Sequence, residues 1–301
     1  MATTKKPIGK NDFVWVRSIY GKGPNAKEQY EYIPDGGMND VIKNWQAKQA
    51  EHPRDVATPS TVLTCPRVVW LLNKGVAPIN EMTWAVKQRL LLGRLFENQF
   101  AEQLADQGML LKHWKDDPGL EVEKFEMGSG DKLLKGVPDY LVRLTHNNEE
   151  IVAISDAKTS RSDSFGYIAI DDTAFDDWGW YKYRIQLTAY FMLCHKNKDW
   201  FIANNLPLPT HCHLFSYALD DGVVRRDIIW QPTTKDVQTV LDMTIRYNQA
   251  VNSKTLPPCT CSESFEDFDV KFCKFGVVEQ GKKIADTCCS ETLIEAIKEK
   301  K

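Results

Sequence analysis

The apolar positions along this chain change period several times, and each change marks an element. Val62, Leu63, Val68, Val69 and Leu72 recur at helical spacing behind Ser60, which predicts a helix capped by that serine. Leu90, Leu91, Leu95, Phe96, Phe100 and Leu104 predict a longer helix over about 80–107. Strand-like segments follow at about 120–127, at 132–144 with Val137, Tyr140, Val142 and Leu144, and at 150–158 with Ile151, Val152 and Ile154. Turn-rich Gly128-Ser129-Gly130-Asp131 and Thr145-His146-Asn147-Asn148 separate them and predict hairpins. After a polar, acidic stretch at 160–177, a helix is expected over about 179–196. Strands near 211–219 and 223–231 then flank Asp220-Asp221-Gly222, and a helix over about 233–252 follows. This order predicts an α/β fold, a central mixed β-sheet flanked by helices.

Residues 1–58 lack that rhythm. Turn-prone stretches at Gly21–Asn25 and Pro34–Gly37 predict a loop-rich N-terminal extension with one helix near 38–50. Gly21–Lys27 fails as a phosphate loop, because Ala26 precedes the lysine where glycine is required and Glu28 replaces the Ser or Thr that holds magnesium. ATP use is not indicated. The expected organisation is this extension, a core over 59–232, and a helical C-terminal region over 233–301 that carries a cysteine cluster and folds back on the core.

Composition narrows the picture. A hydrophobic share of 43%, with 9 Trp, 13 Phe and 10 Tyr, is that of a packed globular protein. No apolar run reaches the roughly 18 residues of a membrane span, so no membrane partner is expected. Met1–Lys10 is polar and basic with no apolar run behind it, unlike a secretory signal, and a cytoplasmic location is expected, bacterial or in the host of a phage. Eight cysteines in 301 residues are too few for a disulfide scaffold and are expected as thiols or metal ligands. The net charge of −3 excludes a uniformly basic nucleic-acid coat. Its distribution is uneven: residues 1–115 carry 16 basic against 11 acidic side chains, 116–177 carry 6 against 15, and 178–301 carry 16 against 15.

The acidic middle holds the candidate chemistry. Gly136-Val137-Pro138-Asp139 falls in the second predicted strand, and Asp156-Ala157-Lys158 ends the third. Residues two apart on a strand share a face, so Asp156 and Lys158 project together. If the two strands pair as a hairpin, Asp139 lies beside Asp156. Paired carboxylates repel unless a divalent cation neutralises them, and magnesium takes one or two carboxylates plus waters and phosphate oxygens. Lys158 would then hold or help deprotonate the attacking water while the metal stabilises charge on the phosphate. The chemistry indicated is phosphodiester hydrolysis.

These segments resemble the PD-(D/E)XK nuclease superfamily, and within it the RecB-like branch, which includes phage exonucleases and CRISPR-adaptation nucleases. Pro138-Asp139 and Asp156-Ala157-Lys158 match the motif that names the superfamily, and Gln186 and Tyr190 match the following Gln-x-x-x-Tyr signature. Gly93 and Glu97 stand where the branch has Gly-x-x-x-His, with glutamate in place of histidine. The resemblance spans 93–190. It implies a restriction-endonuclease-like core, magnesium or manganese on Asp139, Asp156, the Ala157 carbonyl and Glu97, and an exonuclease acting on DNA ends or single strands. A site-specific or structure-specific endonuclease and a non-catalytic DNA-binding module are the alternatives. Partners implied are DNA and a recombinase, single-strand-binding protein or helicase.

Thr64-Cys65-Pro66-Arg67 is similar to the segment that supplies the first ligand of an iron–sulfur cluster in some RecB-like nucleases. The resemblance implies Cys65, Cys261, Cys273 and Cys288 as ligands, with Cys259 and Cys289 as substitutes; thiolates suit zinc as well. Cys194 lies among apolar helical residues and is expected in the core, and His211-Cys212-His213 on a half-exposed strand. Arg161, Ser162, Trp178, Trp180, Tyr181, Lys182, Tyr183 and Arg184 suit backbone neutralisation and base stacking; the alternative for the Trp and Tyr residues, of equal weight for Trp178 and Trp180, is packing of the helix onto the sheet.

Overall fold

The computed structural model describes residues 13–20, 27–34, 55–76, 84–114, 125–160, 178–218, 224–258, 278–279 and 282–283. The chain divides into two units, Met1–His52 and Pro53–Lys301. In the first, β1 (Phe13–Tyr20) and β2 (Lys27–Pro34) form an antiparallel hairpin in register from Phe13↔Pro34 to Tyr20↔Lys27. This corrects the loop-rich, helical reading of the N-terminal region. The segments are rich in Val, Ile, Tyr, Trp and Phe, which favour strands, and the turn-prone Gly21–Asn25 falls in their connection. The helix expected near 38–50 lies outside the described residues.

The second unit is built on a five-stranded mixed sheet in the order β3 (Leu110–His113), β6 (Tyr140–His146), β7 (Glu149–Ser160), β8 (His211–Ala218), β9 (Val224–Trp230). Only β7 and β8 run parallel. The β6–β7 hairpin closes through Asn147 and Asn148 at φ 51° and 64°, which asparagine tolerates better than most residues. Ahead of the sheet lie α1 (Pro66–Asn73) and α2 (Trp84–Asp106). A separate antiparallel pair is formed by β4 (Phe125–Met127) and β5 (Leu134–Gly136). The crossover from β7 to β8 carries α3 (Trp178–Lys196) and α4 (Lys198–Ala203), and α5 (Thr234–Asn252) follows β9. Among the described residues no helix is long and apolar enough to cross a membrane.

Strand alternation sorts the core into two layers. Leu141, Ile154, Cys212 and Leu214 face α3, α4 and α5, packing with Ile185, Leu193, Phe201 and Val240. Tyr140, Val142, Ala153 and Ala157 face the other way, onto Phe96, Phe100, Ala101 and Leu104 of α2. Gly93 allows that approach: a Cβ there would meet Thr159 Oγ1 at 3.0 Å.

Several expectations are corrected. The predicted strand over 132–144 is two strands in different sheets. Pro138 lacks an N–H for a continuous ladder, and a Cβ on Gly136 would collide with Pro59 at 2.6 Å. Gly136-Val137-Pro138-Asp139 therefore links β5 to β6 rather than lying within one strand. The helix assigned to Ser60 begins at Pro66 with Cys65 at its N-cap, because proline is pre-set for the first helical turn. The His211-Cys212-His213 strand is not half-exposed: β8 is an interior strand covered on both faces, and Cys212 and His213 are buried. Beyond Pro258 the described residues hold a two-stranded ladder, β10 (Val278–Glu279) with β11 (Lys282–Lys283), where helix was expected.

Helix α5 is integral to this unit. Asn248 accepts from the Ala57 N–H at 2.9 Å and donates to the carbonyls of Asp131 at 3.0 Å and Leu133 at 2.7 Å. Ala57 itself bridges Leu134, so the segment preceding α1 and the β4–β5 pair are held by one side chain of α5.

Candidate functional site

The β6–β7 ladder ends at the pair Tyr140↔Ser155, so Asp139 and Asp156 occupy the next facing positions, and both are buried. The Asp139 carbonyl accepts from the Trp114 N–H at 3.2 Å, which ties the residue to the end of β3. Asp156 and Lys158 share the α3 face of β7. The Lys158 ammonium lies 2.7 Å from Asp156 Oδ1 and 2.6 Å from Oδ2. Gln186 Nε2 donates to Oδ2 at 3.3 Å.

Helix α3 supplies the roof. Tyr183, Gln186 and Tyr190 follow at three- and four-residue spacing and so share a face. The Tyr183 ring centroid is 5.5 Å from Lys158 Nζ. Tyr190 is buried beside the aspartates; burial and their negative charge push its hydroxyl pKa up, against a hydrogen bond with Gln186.

The electrostatics of the site are set first by burial and then by the charges around Asp156. Burial, the largest cause, raises the Asp156 pKa to about 7; Lys158 opposes this, while Asp139 adds to it. Burial alone would depress Lys158, but the Asp156 carboxylate, with Tyr183 and Asp139, raises it instead. The ammonium is thus held charged, yet it does not return the buried Asp156 carboxylate to its ordinary range. This donor set, two hard oxygen ligands with the Ala157 carbonyl in the chain between Asp156 and Lys158, fits magnesium or manganese.

Glu97 stands apart from that pair. It lies on α2, behind the sheet, where its backbone carbonyl accepts from Tyr140 Oη at 2.7 Å. Among the described residues no three His, Cys, Asp or Glu side chains converge as a metal-holding group, so Glu97 does not complete a trio with the aspartates. Cys65 is half-buried. Helix α1 is tied to the segment after α5, with Arg67 Nε donating to the Pro257 carbonyl at 2.9 Å and Trp70 Nε1 to that of Ser253 at 3.0 Å. Leu256 packs on the same cluster as Cys65. Cys259, Cys261, Cys273, Cys288 and Cys289 lie outside the described residues, as do Arg161, Ser162 and the acidic 171–177 segment. Cys194 is a fully buried core residue, as its neighbours predict.

Of the residues leading into Gln186, the side chains of Trp178 and Trp180 lie outside the described ones. Tyr181 and Tyr183 pack against the main core. Arg184 is committed to Asp236 at the start of α5, with Nε 2.8 Å from Oδ1 and Nη2 2.9 Å from Oδ2. This favours helix packing over phosphate neutralisation for those three side chains.

Two further constellations escape sequence reasoning because their members lie far apart in the chain. Ser155 Oγ is 2.8 Å from His213 Nδ1, and His213 Nε2 is 2.7 Å from Asp227 Oδ1, a Ser-His-Asp chain across β7, β8 and β9. Ser155 is 1% exposed, on the α2 face, so its hydroxyl meets no substrate, and the chain fastens three strands instead. At the opposite end of the sheet from the aspartates, His146, Asn147, Glu149, His211 and Trp230 line an open groove of about 370 Å³ that shares no residue with the aspartate site. Tyr183, which the sequence offers for base stacking or packing, also faces Lys158, one helical turn before Gln186.

No family model matches the chain, and no curated protein does. A solved structure described as "Crystal structure of SSO0001" aligns over 82% of this chain and 98% of that chain, at 15% identity and a TM-score of 0.43. Likeness at that level carries no functional argument. The sheet and its helical layers define the class on their own: a mixed α/β protein with a five-stranded central sheet.

Proposed function

We propose that this chain is a divalent-metal-dependent deoxyribonuclease on a restriction-endonuclease-like core, hydrolysing phosphodiester bonds at DNA ends or in single strands. The observation that carries the reading is the buried Asp139–Asp156 pair with Lys158 and Gln186 on Asp156. Asp139, Asp156 and the Ala157 carbonyl would hold magnesium or manganese, with Glu97 a ligand only if it comes around the sheet. When bound, the cation supplies Lewis-acid stabilisation of charge developing on the phosphate. Lys158 holds its proton at Nζ and directs that ammonium at the nucleophilic water or the phosphate oxygens. Gln186 fixes the Asp156 carboxylate, and Tyr190 closes the buried side against bulk water.

The exonuclease preference rests on resemblance to the RecB-like branch, as do a recombinase, single-strand-binding protein or helicase as partner and a cytoplasmic location. An iron–sulfur cluster on Cys65 with Cys261, Cys273 and Cys288, or a structural zinc there, belongs to the same resemblance. The attachment of α1 to the Ser253–Pro257 segment supports it by bringing Cys65 toward the start of the cysteine-bearing region.

The test is cleavage of labelled linear and closed circular DNA with magnesium or manganese by wild type, Asp156→Asn and Lys158→Met. Wild type is expected to degrade the linear form, with both variants slower by about 100-fold or more. Equal rates in the variants would refute the assignment, and cutting of circular DNA would move it to an endonuclease.

A further inference from the structure

The contact between Lys158 and Asp156 uses both carboxylate oxygens, at 2.7 and 2.6 Å, with Gln186 on one of them. Asp156 is 1% exposed, so little of its carboxylate remains for another ligand. An ammonium and a divalent cation cannot share that surface without strong repulsion. The Tyr183 ring centroid lies 5.5 Å from the same Nζ, a surface that attracts cations without donating lone pairs to a metal.

We infer that Lys158 is the resting occupant of the place on Asp156 that the proposed metal would take, so that loading the cation and freeing the ammonium are one event. This rests on the metal-site reading above and adds a control to it. Without a divalent cation the lysine neutralises the buried carboxylate and is held out of use. With the cation in place the same ammonium is released from Asp156 and becomes available to substrate. The site is thereby silent until metal arrives, with no separate inhibitory element.

The inference is tested by metal binding, without DNA. Free Mn²⁺ is followed by electron paramagnetic resonance with wild type, Lys158→Met and Asp156→Asn at fixed pH. Lys158→Met is expected to bind Mn²⁺ about tenfold more tightly than wild type, despite losing cleavage, and Asp156→Asn to lose binding. Equal or weaker binding by Lys158→Met overturns the inference while leaving the metal site standing. Absence of binding by wild type overturns both. The second readout uses wild type alone: in protein labelled with ¹³Cε-lysine, the Lys158 resonance, identified by its absence from Lys158→Met, is expected to shift as Mg²⁺ saturates. A fixed ammonium that merely repelled the cation would keep its contact with Asp156, so a resonance unmoved at saturating Mg²⁺ overturns the inference whatever the affinities.

Discussion

Replacing Asp236 with alanine removes the main electrostatic tie between α3 and α5. Asp236 is buried and forms a capping box with Thr233, accepting from the Thr233 N–H at 2.8 Å and its hydroxyl at 2.7 Å while donating its own N–H to Thr233 Oγ1 at 3.2 Å. It also holds Arg184 through both carboxylate oxygens. Loss of its half of the capping box, the bonds from the Thr233 N–H and hydroxyl, costs about 1 kcal/mol, while the Thr233 cap on the N–H of residue 236 remains. Breaking a buried ion pair costs roughly 3–5 kcal/mol, reduced here to about 2–3 because the stranded Arg184 stays partly hydrated. The sum, about 3–4 kcal/mol, corresponds to a melting temperature lower by roughly 10 °C for a unit of this size. Asp236→Asn keeps a capping side chain and is expected to cost about half as much. The pH dependence has a definite sign. Burial pushes the Asp236 pKa up, but Thr233 and Arg184 outweigh it and hold the value below the ordinary carboxylate range. Its stabilisation is therefore complete above about pH 4 and is lost as pH falls through the depressed folded-state value. Urea unfolding of wild type and Asp236→Ala is expected to show a constant gap from pH 8 to pH 5 and a shrinking one in stronger acid. A gap below about 1 kcal/mol at pH 7 would refute the reasoning, as would one that widens on acidification.

Asn248→Ala strands the Ala57 N–H and two carbonyls and is expected to cost about 2–4 kcal/mol in urea unfolding. Gly93→Leu drives a side chain into Thr159 where α2 crosses β7, with an expected loss of about 1–3 kcal/mol; an unchanged melting temperature would show that the helix approaches the sheet elsewhere. Asp139→Asn relieves repulsion with Asp156, so in chelator it is expected to melt higher than wild type by on the order of 1 kcal/mol, while DNA cleavage with magnesium falls about 100-fold or more. A melting temperature in chelator below that of wild type would contradict the repulsion.

The elements that read clearly in the sequence are those whose signal is local. Helices α2, α3 and α5 and strands β7, β8 and β9 fall within a few residues of where periodicity places them. The Asp156–Lys158 contact follows from strand alternation alone. The 132–144 segment misled because its apolar spacing is continuous, whereas the break is imposed by Pro138 and by the close approach of Pro59 to Gly136. Strand β3 and helix α4, four and six residues long, are too short for a periodic signal. Glu97 is expected only through its spacing from Gly93, and the physical demand that the structure places on Gly93 is clearance for Thr159. The ties from Arg184 to Asp236 and from His213 to Ser155 and Asp227 join residues 14 to 58 positions apart, a separation no local pattern encodes.

The anchoring of Ala57 by Asn248 bears on how the protein is made. The two residues are 191 positions apart, so that bond cannot form until the second unit has left the ribosome as far as Asn248. Until α5 emerges, the segment before α1 lacks its clamp and α3 lacks Asp236, which leaves the roof over Asp139 and Asp156 without support. A nascent chain that stalls between Tyr190 and α5 would thus carry every proposed catalytic residue and still have no finished site, which separates synthesis of those residues from the moment the protein can act.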